Sequence, residues 1–123
     1  MSNKAVLYIE DNIHNRRLVR KVLQSQGYTV VEAEDGLSGL QMVQDIKPAL
    51  VLLDIGLPGM DGLQVVARIK KDAALSSIPV IALTASAMRG DRERFLEAGC
   101  DDYLSKPIRA MELIKKVADH YPL

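Results

Sequence analysis

Short apolar runs of strand length alternate with helical patterns along the whole chain, and this alternation limits the possible folds more than any other feature. Strand patterns lie near residues 5–9, 28–34, 49–53, 80–83 and 102–104. Apolar residues at helical spacing follow each of them, near residues 13–26, 37–46, 61–72, 88–98 and 111–121. Strands that alternate with helices form parallel sheets with right-handed crossovers and helices on both faces. The sequence therefore predicts an α/β fold.

The composition of the strands predicts their order in the sheet. The first, third and fourth strands are apolar throughout, which is typical of central strands covered on both faces. The second strand carries Glu32 and Glu34, and the fifth is short and polar, so both belong at edges. A flavodoxin-like (βα)5 doubly wound sheet with strand order 2-1-3-4-5 satisfies these conditions. Its topological switch point lies between strands 1 and 3, and ligands bind there, beyond the carboxyl ends of the strands.

Length and charge exclude several kinds of protein. The 123 residues fit one domain, residues 1–123. Sixteen basic and sixteen acidic side chains cancel, so no global field attracts nucleic acid or an anionic membrane surface. The first apolar stretch is too short for a cleavable leader, and no stretch approaches membrane-spanning length, so we expect a cytoplasmic protein. Cys100 is the only cysteine, which excludes an internal disulfide, and we expect it to be buried.

Chemically active side chains follow four of the predicted strands. Glu10 and Asp11 end the first strand, Asp54 ends the third, Thr84 ends the fourth, and Lys106 comes soon after the fifth. Clustered carboxylates repel one another unless a cation neutralises them, and Mg²⁺ prefers oxygen ligands. With Mg²⁺ bound, Asp54 is a candidate nucleophile toward a phosphoryl group. Thr84 is then a candidate hydrogen-bond donor to a phosphoryl oxygen, and Lys106 supplies positive charge.

The chain carries four motifs in this order: Glu10-Asp11-Asn12, the loop from Asp54 to Gly62, Thr84-Ala85 and Lys106-Pro107. Together they resemble the receiver domain of two-component response regulators over essentially the full chain. The resemblance implies that Asp54 accepts phosphate from the phosphohistidine of a histidine kinase or a histidine phosphotransfer domain. It also implies that Asp11, Asp54 and the backbone carbonyl of Gly56 coordinate Mg²⁺, and that Glu10 acts through a water molecule. Such a protein transfers phosphate to itself and releases it, without turnover of an external substrate.

The resemblance further implies a conformational switch and a docking surface. Tyr103 corresponds to the switch aromatic, which moves inward when Thr84 moves toward the phosphate. This movement alters a switch face built from the fourth helix, the fifth strand and the fifth helix, and so changes the affinity for a downstream effector protein. The peptide bond between Lys106 and Pro107 is expected to be cis. The phosphate donor is expected to dock on the first helix and on the loop after the fifth strand, at Asn12, His14, Asn15, Leu18, Pro107 and Ile108.

Gly56 departs from the commonest receiver pattern, in which a larger side chain two residues beyond the phosphoacceptor shields the acyl phosphate from water. Ser86, two residues after Thr84, is small as well. We therefore expect attacking water to be poorly excluded by these side chains, so that loss of the phosphoryl group depends on backbone and lid geometry.

Structural roles also account for these residues when each is taken alone. Asp11 and Asp54 are typical N-cap residues, and Tyr103 is a typical edge-strand aromatic. Lone histidines such as His14 and His120 are usually exposed and inert. Gly59 and Gly62 need only be turn residues. The first helix carries a basic set that is typical of a solvated face, namely Arg16, Arg17, Arg20 and Lys21.

Two other functional classes remain open at this point. A Mg²⁺-dependent phosphatase also uses an aspartate nucleophile, but haloacid-dehalogenase-type enzymes need a second aspartate where this chain has Gly56. A pseudo-receiver would bind its partners without phosphorylation, although the intact set of acids, Thr84 and Lys106 argues against it. No DNA-binding or catalytic pattern follows the receiver pattern, so we expect either a single-domain regulator or the receiver of a hybrid kinase, and Met1 favours the former.

Overall fold

Five strands and five helices alternate in the computed structural model, which describes residues 5–57, 59–85 and 91–123. The strands are β1 (Ala5–Ile9), β2 (Thr29–Ala33), β3 (Leu50–Asp54), β4 (Val80–Thr84) and β5 (Asp102–Ser105). The helices are α1 (Ile13–Ser25), α2 (Gly36–Ile46), α3 (Gly62–Lys71), α4 (Asp91–Ala98) and α5 (Ala110–His120). Among the helices that the structure describes, none combines the length and the apolar character needed to cross a membrane.

The strands form one parallel sheet with the order β2-β1-β3-β4-β5, which confirms the predicted flavodoxin-like topology. Its register brings the strand ends together at one edge. Ile9 lies opposite Leu53, so the acids that follow these two residues are neighbours. Thr84 lies opposite Ser105, so Lys106 leaves the sheet beside the end of β4.

The hydrophobic core has two layers, one on each face of the sheet, because side chains alternate along every strand. Residues such as Leu7 and Ile9 pack on the face covered by α2, α3 and α4. Tyr8 and Leu52 pack on the opposite face, against α1 and α5. Every residue of β1, β3 and β4 is buried, which confirms that these are the central strands.

The N-caps of α1 and α3 contradict the interpretation of Asp11 and Asp54 as helix-capping residues. Asn12 is the N-cap of α1, and its side chain accepts a hydrogen bond from the Asn15 amide. Asp61 is the N-cap of α3, where it forms a capping box with Gln64. Asp11 and Asp54 therefore do not cap the helices that follow them, so the interpretation of both as N-caps is wrong.

Several local predictions have a clear outcome. The bond between Lys106 and Pro107 is cis, as predicted, and Cys100 is buried with 4% exposure. Gly59 is a turn residue with a φ of 78°. Gly62 is more than a turn residue, because a Cβ there would lie 2.7 Å from the Cα of Ile55. The predicted start of the fourth helix near residue 88 and the position of Ser86 lie outside the described residues.

Candidate functional site

Three acids converge at the carboxyl edge of the sheet. One carboxylate oxygen from each of Glu10, Asp11 and Asp54 lies within 4.8 Å of the other two. Glu10 is fully buried and Asp54 is 5% exposed, whereas Asp11 is exposed. The cluster therefore lies at the floor of a site that opens to solvent beside Asp11.

Lys106 reaches this cluster from the loop after β5. Its Nζ lies 3.2 Å from Oδ2 of Asp54 and 3.2 Å from Oε1 of Glu10. Burial acts to lower the pKa of the Lys106 ammonium, but the charges of Asp54 and Glu10 and the hydrogen bonds to them raise its pKa above the ordinary value. Because the cluster holds three carboxyl groups and the Lys106 ammonium contacts only two of them, the site keeps an excess of negative charge that favours a cation.

The two oxygens of Glu10 have very different surroundings. Oε1 accepts hydrogen bonds from the Tyr8 hydroxyl (3.0 Å), the Asn15 side-chain amide (2.9 Å) and the Lys106 ammonium (3.2 Å). Oε2 is buried and has no hydrogen-bond partner among the described residues. A buried carboxylate oxygen without a partner is costly. A hydrated divalent cation among the three acids would supply this oxygen with a donor, so the donor set fits Mg²⁺.

Burial of Tyr8 and the negative charge of Glu10 both raise the pKa of the Tyr8 hydroxyl far above its ordinary value. The hydroxyl therefore stays protonated and donates to the carboxylate. The sequence did not identify Tyr8 as part of the site. The sequence feature that could have identified Tyr8 is the alternation of side chains along a strand, which places residues 8 and 10 on the same face of the sheet.

Arg16 is a second residue of the site that the sequence prediction misplaced. Its Nη1 donates to the backbone carbonyls of Glu10 (2.8 Å) and Asp11 (3.1 Å), and its Nε lies 3.3 Å from Oε2 of Glu32. Arg16 is only 8% exposed, so its assignment to a solvated basic face is wrong. The sequence feature that could have placed it is the pair of acids, Glu32 and Glu34, at the carboxyl end of the edge strand β2.

The rest of the predicted basic set divides into two kinds of residue. Arg20 is exposed, but its Nε pairs with Oε1 of Glu32 at 2.8 Å. Arg17 and Lys21 are exposed, in agreement with a solvated face.

Backbone contacts fix the phosphoacceptor candidate and its neighbours. The amide of Gly56 donates to Oδ1 of Asp54 at 3.0 Å. Thr84 is buried at the end of β4, and its carbonyl accepts from the Lys106 amide at 2.8 Å. The sheet edge therefore carries Asp54, Thr84 and Lys106 together, as the sequence predicted.

Tyr103 lies between α4 and α5. Its ring is half-buried, with its centroid 6.5 Å from that of Phe95 and 5.7 Å from the Nζ of Lys116. These contacts place it on the predicted switch face, and its movement stays a prediction.

His120 is not the inert residue that the sequence predicted. Its Nε2 lies 3.0 Å from Oδ2 of Asp102, whose Oδ1 contacts the Nζ of Lys116 at 2.7 Å. Partial burial acts to raise the pKa of the Asp102 carboxyl, but the hydrogen bonds from Lys116 and His120 outweigh it and hold the pKa below its ordinary value. His14, in contrast, is exposed as expected.

The predicted docking residues come from two neighbouring elements. Helices α1 and α5 contact each other, so the start of α1 and the loop before α5 lie on the same side of the molecule. Leu18 is 43% exposed, and Pro107 is exposed beside a cavity of about 260 Å³. Asn12 and His14 are exposed, while Asn15 and Ile108 are partly buried.

Known proteins are similar to this chain in sequence and in fold. The family model described as "Response regulator receiver domain" matches residues 6–118. The polar-differentiation response regulators DivK of Brucella anthropi and Brucella ovis are each 40% identical over 117 residues, which is 95% of this chain and 95% of theirs.

Solved structures agree with the sequence matches. A putative response regulator from Chloroflexus aurantiacus has a TM-score of 0.90 at 29% identity, covering 98% of this chain and 99% of its own. The receiver domain of sensor histidine kinase PA1611 from Pseudomonas aeruginosa, which holds a magnesium ion in its active site cleft, has a TM-score of 0.88 at 33% identity, with 99% and 100% coverage. The matches cover nearly the whole chain, and the structure brings the three acids, Thr84 and Lys106 together at one sheet edge. The chain therefore belongs to the response regulator receiver domain family, whose members are phosphoacceptors in two-component signalling.

Proposed function

We propose that Asp54 is the phosphoacceptor, taking the phosphoryl group from a phosphohistidine. The observation that carries this assignment is the fixed and polarised geometry of its carboxylate. Oδ1 accepts from the Gly56 amide at 3.0 Å, and Oδ2 lies 3.2 Å from the Lys106 ammonium. A nucleophile that is held in place needs little reorganisation before an in-line attack.

Asp11, Asp54 and the backbone carbonyl of Gly56 hold Mg²⁺ in this proposal, and Glu10 acts through a water molecule. The tight grouping of the three acids and the unpartnered Oε2 of Glu10 support the assignment. When bound by these residues, Mg²⁺ would supply positive charge opposite the phosphoryl oxygens. Lys106 adds the positive charge of the protein itself, and Thr84 donates a hydrogen bond to a phosphoryl oxygen.

Phosphorylation then changes the affinity for a downstream effector protein through Thr84 and Tyr103. The position of Tyr103 supports this proposal, because its ring lies beside Phe95 of α4 and is not fully enclosed by the core. The chain transfers phosphate to itself and releases it, and turns over no external substrate. We further propose that residues 1–123 form one receiver domain that acts in the cytoplasm.

The phosphate donor, a histidine kinase or a histidine phosphotransfer domain, docks where α1 meets the loop before α5. The exposed apolar side chain of Leu18 and the cavity beside Pro107 support this choice. Alanine substitutions at His14, Leu18 and Ile108 should slow phosphotransfer from the donor protein while leaving phosphorylation by acetyl phosphate unchanged.

Acetyl phosphate with Mg²⁺, followed by intact-mass measurement, tests the central assignment. We expect an adduct of one phosphoryl group that disappears in Asp54→Asn and that requires Mg²⁺. Release of phosphate from many small esters would instead indicate a phosphatase. A wild-type protein that is folded and yet forms no adduct would indicate a pseudo-receiver, and either result would overturn the proposal.

A further inference from the structure

Glu10 is held by three donors from three different elements, and all of them reach the same oxygen. The Tyr8 hydroxyl comes from β1, the Asn15 amide from α1, and the Lys106 ammonium from the loop after β5. The two uncharged donors make the shorter contacts, 3.0 and 2.9 Å against 3.2 Å. Lys106 is therefore not the sole group that satisfies this buried carboxylate.

The Lys106 ammonium contacts both Glu10 and Asp54, and a phosphoryl group on Asp54 would draw it away from Glu10. The phosphoryl oxygens are strong new acceptors, and an ammonium on a flexible stem turns readily toward them. Glu10 is fully buried, so bulk solvent cannot replace a donor that leaves its Oε1. If Lys106 were its only donor, Oε1 would lose its hydrogen bond in a low-dielectric environment when Lys106 moved. The free-energy cost of that loss would oppose the movement.

We propose that Tyr8 and Asn15 are positioning residues that keep Glu10 satisfied and in place when Lys106 moves from it to the phosphoryl group. This inference rests on the proposed function of Asp54. Tyr8 is fully buried in the core layer beneath α1 and α5, and Glu10 follows on the same face of β1. Its hydroxyl donates to the Glu10 carboxylate, so Tyr8 acts on the site through Glu10.

The Tyr8→Phe substitution tests the inference because it removes the hydroxyl and keeps the ring. Beryllofluoride, a mimic of the phosphoryl group, serves as the probe, and the ¹⁹F NMR signal of its bound form measures occupancy at saturating Mg²⁺. We expect its affinity to fall about tenfold, equivalent to about 1.4 kcal/mol. The affinity for Mg²⁺ alone, which leaves Lys106 on Glu10, should change less than about threefold.

Tyr28→Phe is the matched control. The Tyr28 hydroxyl donates to the carbonyl of Tyr121 at 2.8 Å, and Tyr28 precedes β2 at the opposite end of the sheet. The substitution removes one partly buried tyrosine hydrogen bond from the same core layer, away from the acid cluster, and should leave the beryllofluoride affinity unchanged. Asn15→Ala should weaken beryllofluoride binding in the same direction as Tyr8→Phe, and the double variant should weaken it further.

The possible outcomes are distinct. If Tyr8→Phe and Asn15→Ala bind beryllofluoride as wild type does, the positioning role is wrong. It is also wrong if Tyr8→Phe weakens Mg²⁺ and beryllofluoride equally, because Tyr8 would then serve only the metal site. Should Tyr8→Phe fail to fold, the partly exposed Asn15 decides the question alone. A folded wild-type protein that binds neither Mg²⁺ nor beryllofluoride would overturn the proposed function itself.

Discussion

The backbone amide of Gly56 donates to Oδ1 of Asp54, and the same residue leaves open the space beside that oxygen. A Cβ built on Gly56 would lie 3.7 Å from Oδ1, which is an ordinary van der Waals distance. Gly56 is exposed, and its backbone φ is not among the positive values of the described glycines. A side chain can therefore be added here without strain, and it would project beside the phosphoacceptor oxygens.

Gly56→Arg should lengthen the lifetime of the phosphorylated protein. The long side chain would cover the acyl phosphate and exclude attacking water, which we expect to slow hydrolysis about tenfold, or by about 1.4 kcal/mol in the barrier. The decay of the phosphorylated mass after removal of acetyl phosphate measures this rate. Gly56→Ala is the control, since a methyl group at 3.7 Å cannot cover the phosphoryl group and should leave the half-life near the wild-type value. An unchanged half-life in Gly56→Arg would refute the shielding argument.

Mg²⁺ should stabilise the folded protein, and Asp54→Asn should reduce that gain. A ligand that binds only the folded state at a hundredfold excess over its dissociation constant stabilises by about 2.7 kcal/mol. Urea denaturation with and without Mg²⁺ measures the difference. Asp61→Asn is the matched control, because Asp61 caps α3 outside the acid cluster and asparagine retains the cap. Equal Mg²⁺ stabilisation of Asp54→Asn and wild type would show that Asp54 is not a ligand.

The fold and most of the site could be predicted from the sequence because both follow from local patterns. Uninterrupted apolar runs marked the central strands, and the parallel topology then placed their carboxyl ends at one edge. Glu10, Asp54 and Thr84 occupy the positions directly at those ends, so their convergence needed no information about packing.

The roles of Arg16 and His120 could not be predicted in the same way, since each depends on a partner that is distant in sequence and that packing brings into contact. Arg16 is buried only because α1 crosses over β2 and brings its guanidinium against Glu32. His120 has a partner because α5 packs against β5 at Asp102. A helix period shows which residues share a face, but the polar groups that this face meets depend on tertiary packing.

Arg16→Met should destabilise the protein by about 2–4 kcal/mol, since it leaves the carbonyls of Glu10 and Asp11 without their donor and removes one partner of Glu32. Methionine preserves most of the aliphatic length, so the loss is mainly electrostatic. Urea denaturation measures the change. Arg17→Met removes the same charge from the next, exposed position of α1 and should change stability by less than about 0.5 kcal/mol. Equal effects of the two variants would contradict the assigned role of Arg16.

Asp102 should contribute a stability that disappears in acid. Its pKa is lowered in the folded state by Lys116 and His120 against the opposing effect of burial, so its contribution is present above the pKa of the unfolded chain, about 3.9, and is lost as pH falls through the lower folded value. Asp102→Asn should therefore cost about 1 kcal/mol at pH 7, a figure reduced for partial exposure. Urea denaturation from pH 7 to pH 3 should show the variant and wild type converging below about pH 4.

Asp119→Asn is the control for this acid dependence, because its pairing with Lys115 on the exposed side of α5 is a surface contact of small energy. Its difference from wild type should stay small at every pH. A constant gap between Asp102→Asn and wild type down to pH 3 would mean that the Asp102 carboxylate gains nothing from Lys116 and His120 as an ion. In that case the contacts of Asp102 with Lys116 and His120 would hold β5 against α5 without an ionic contribution. Protonation of Asp102 would then have no effect on the α5 side of the predicted switch face.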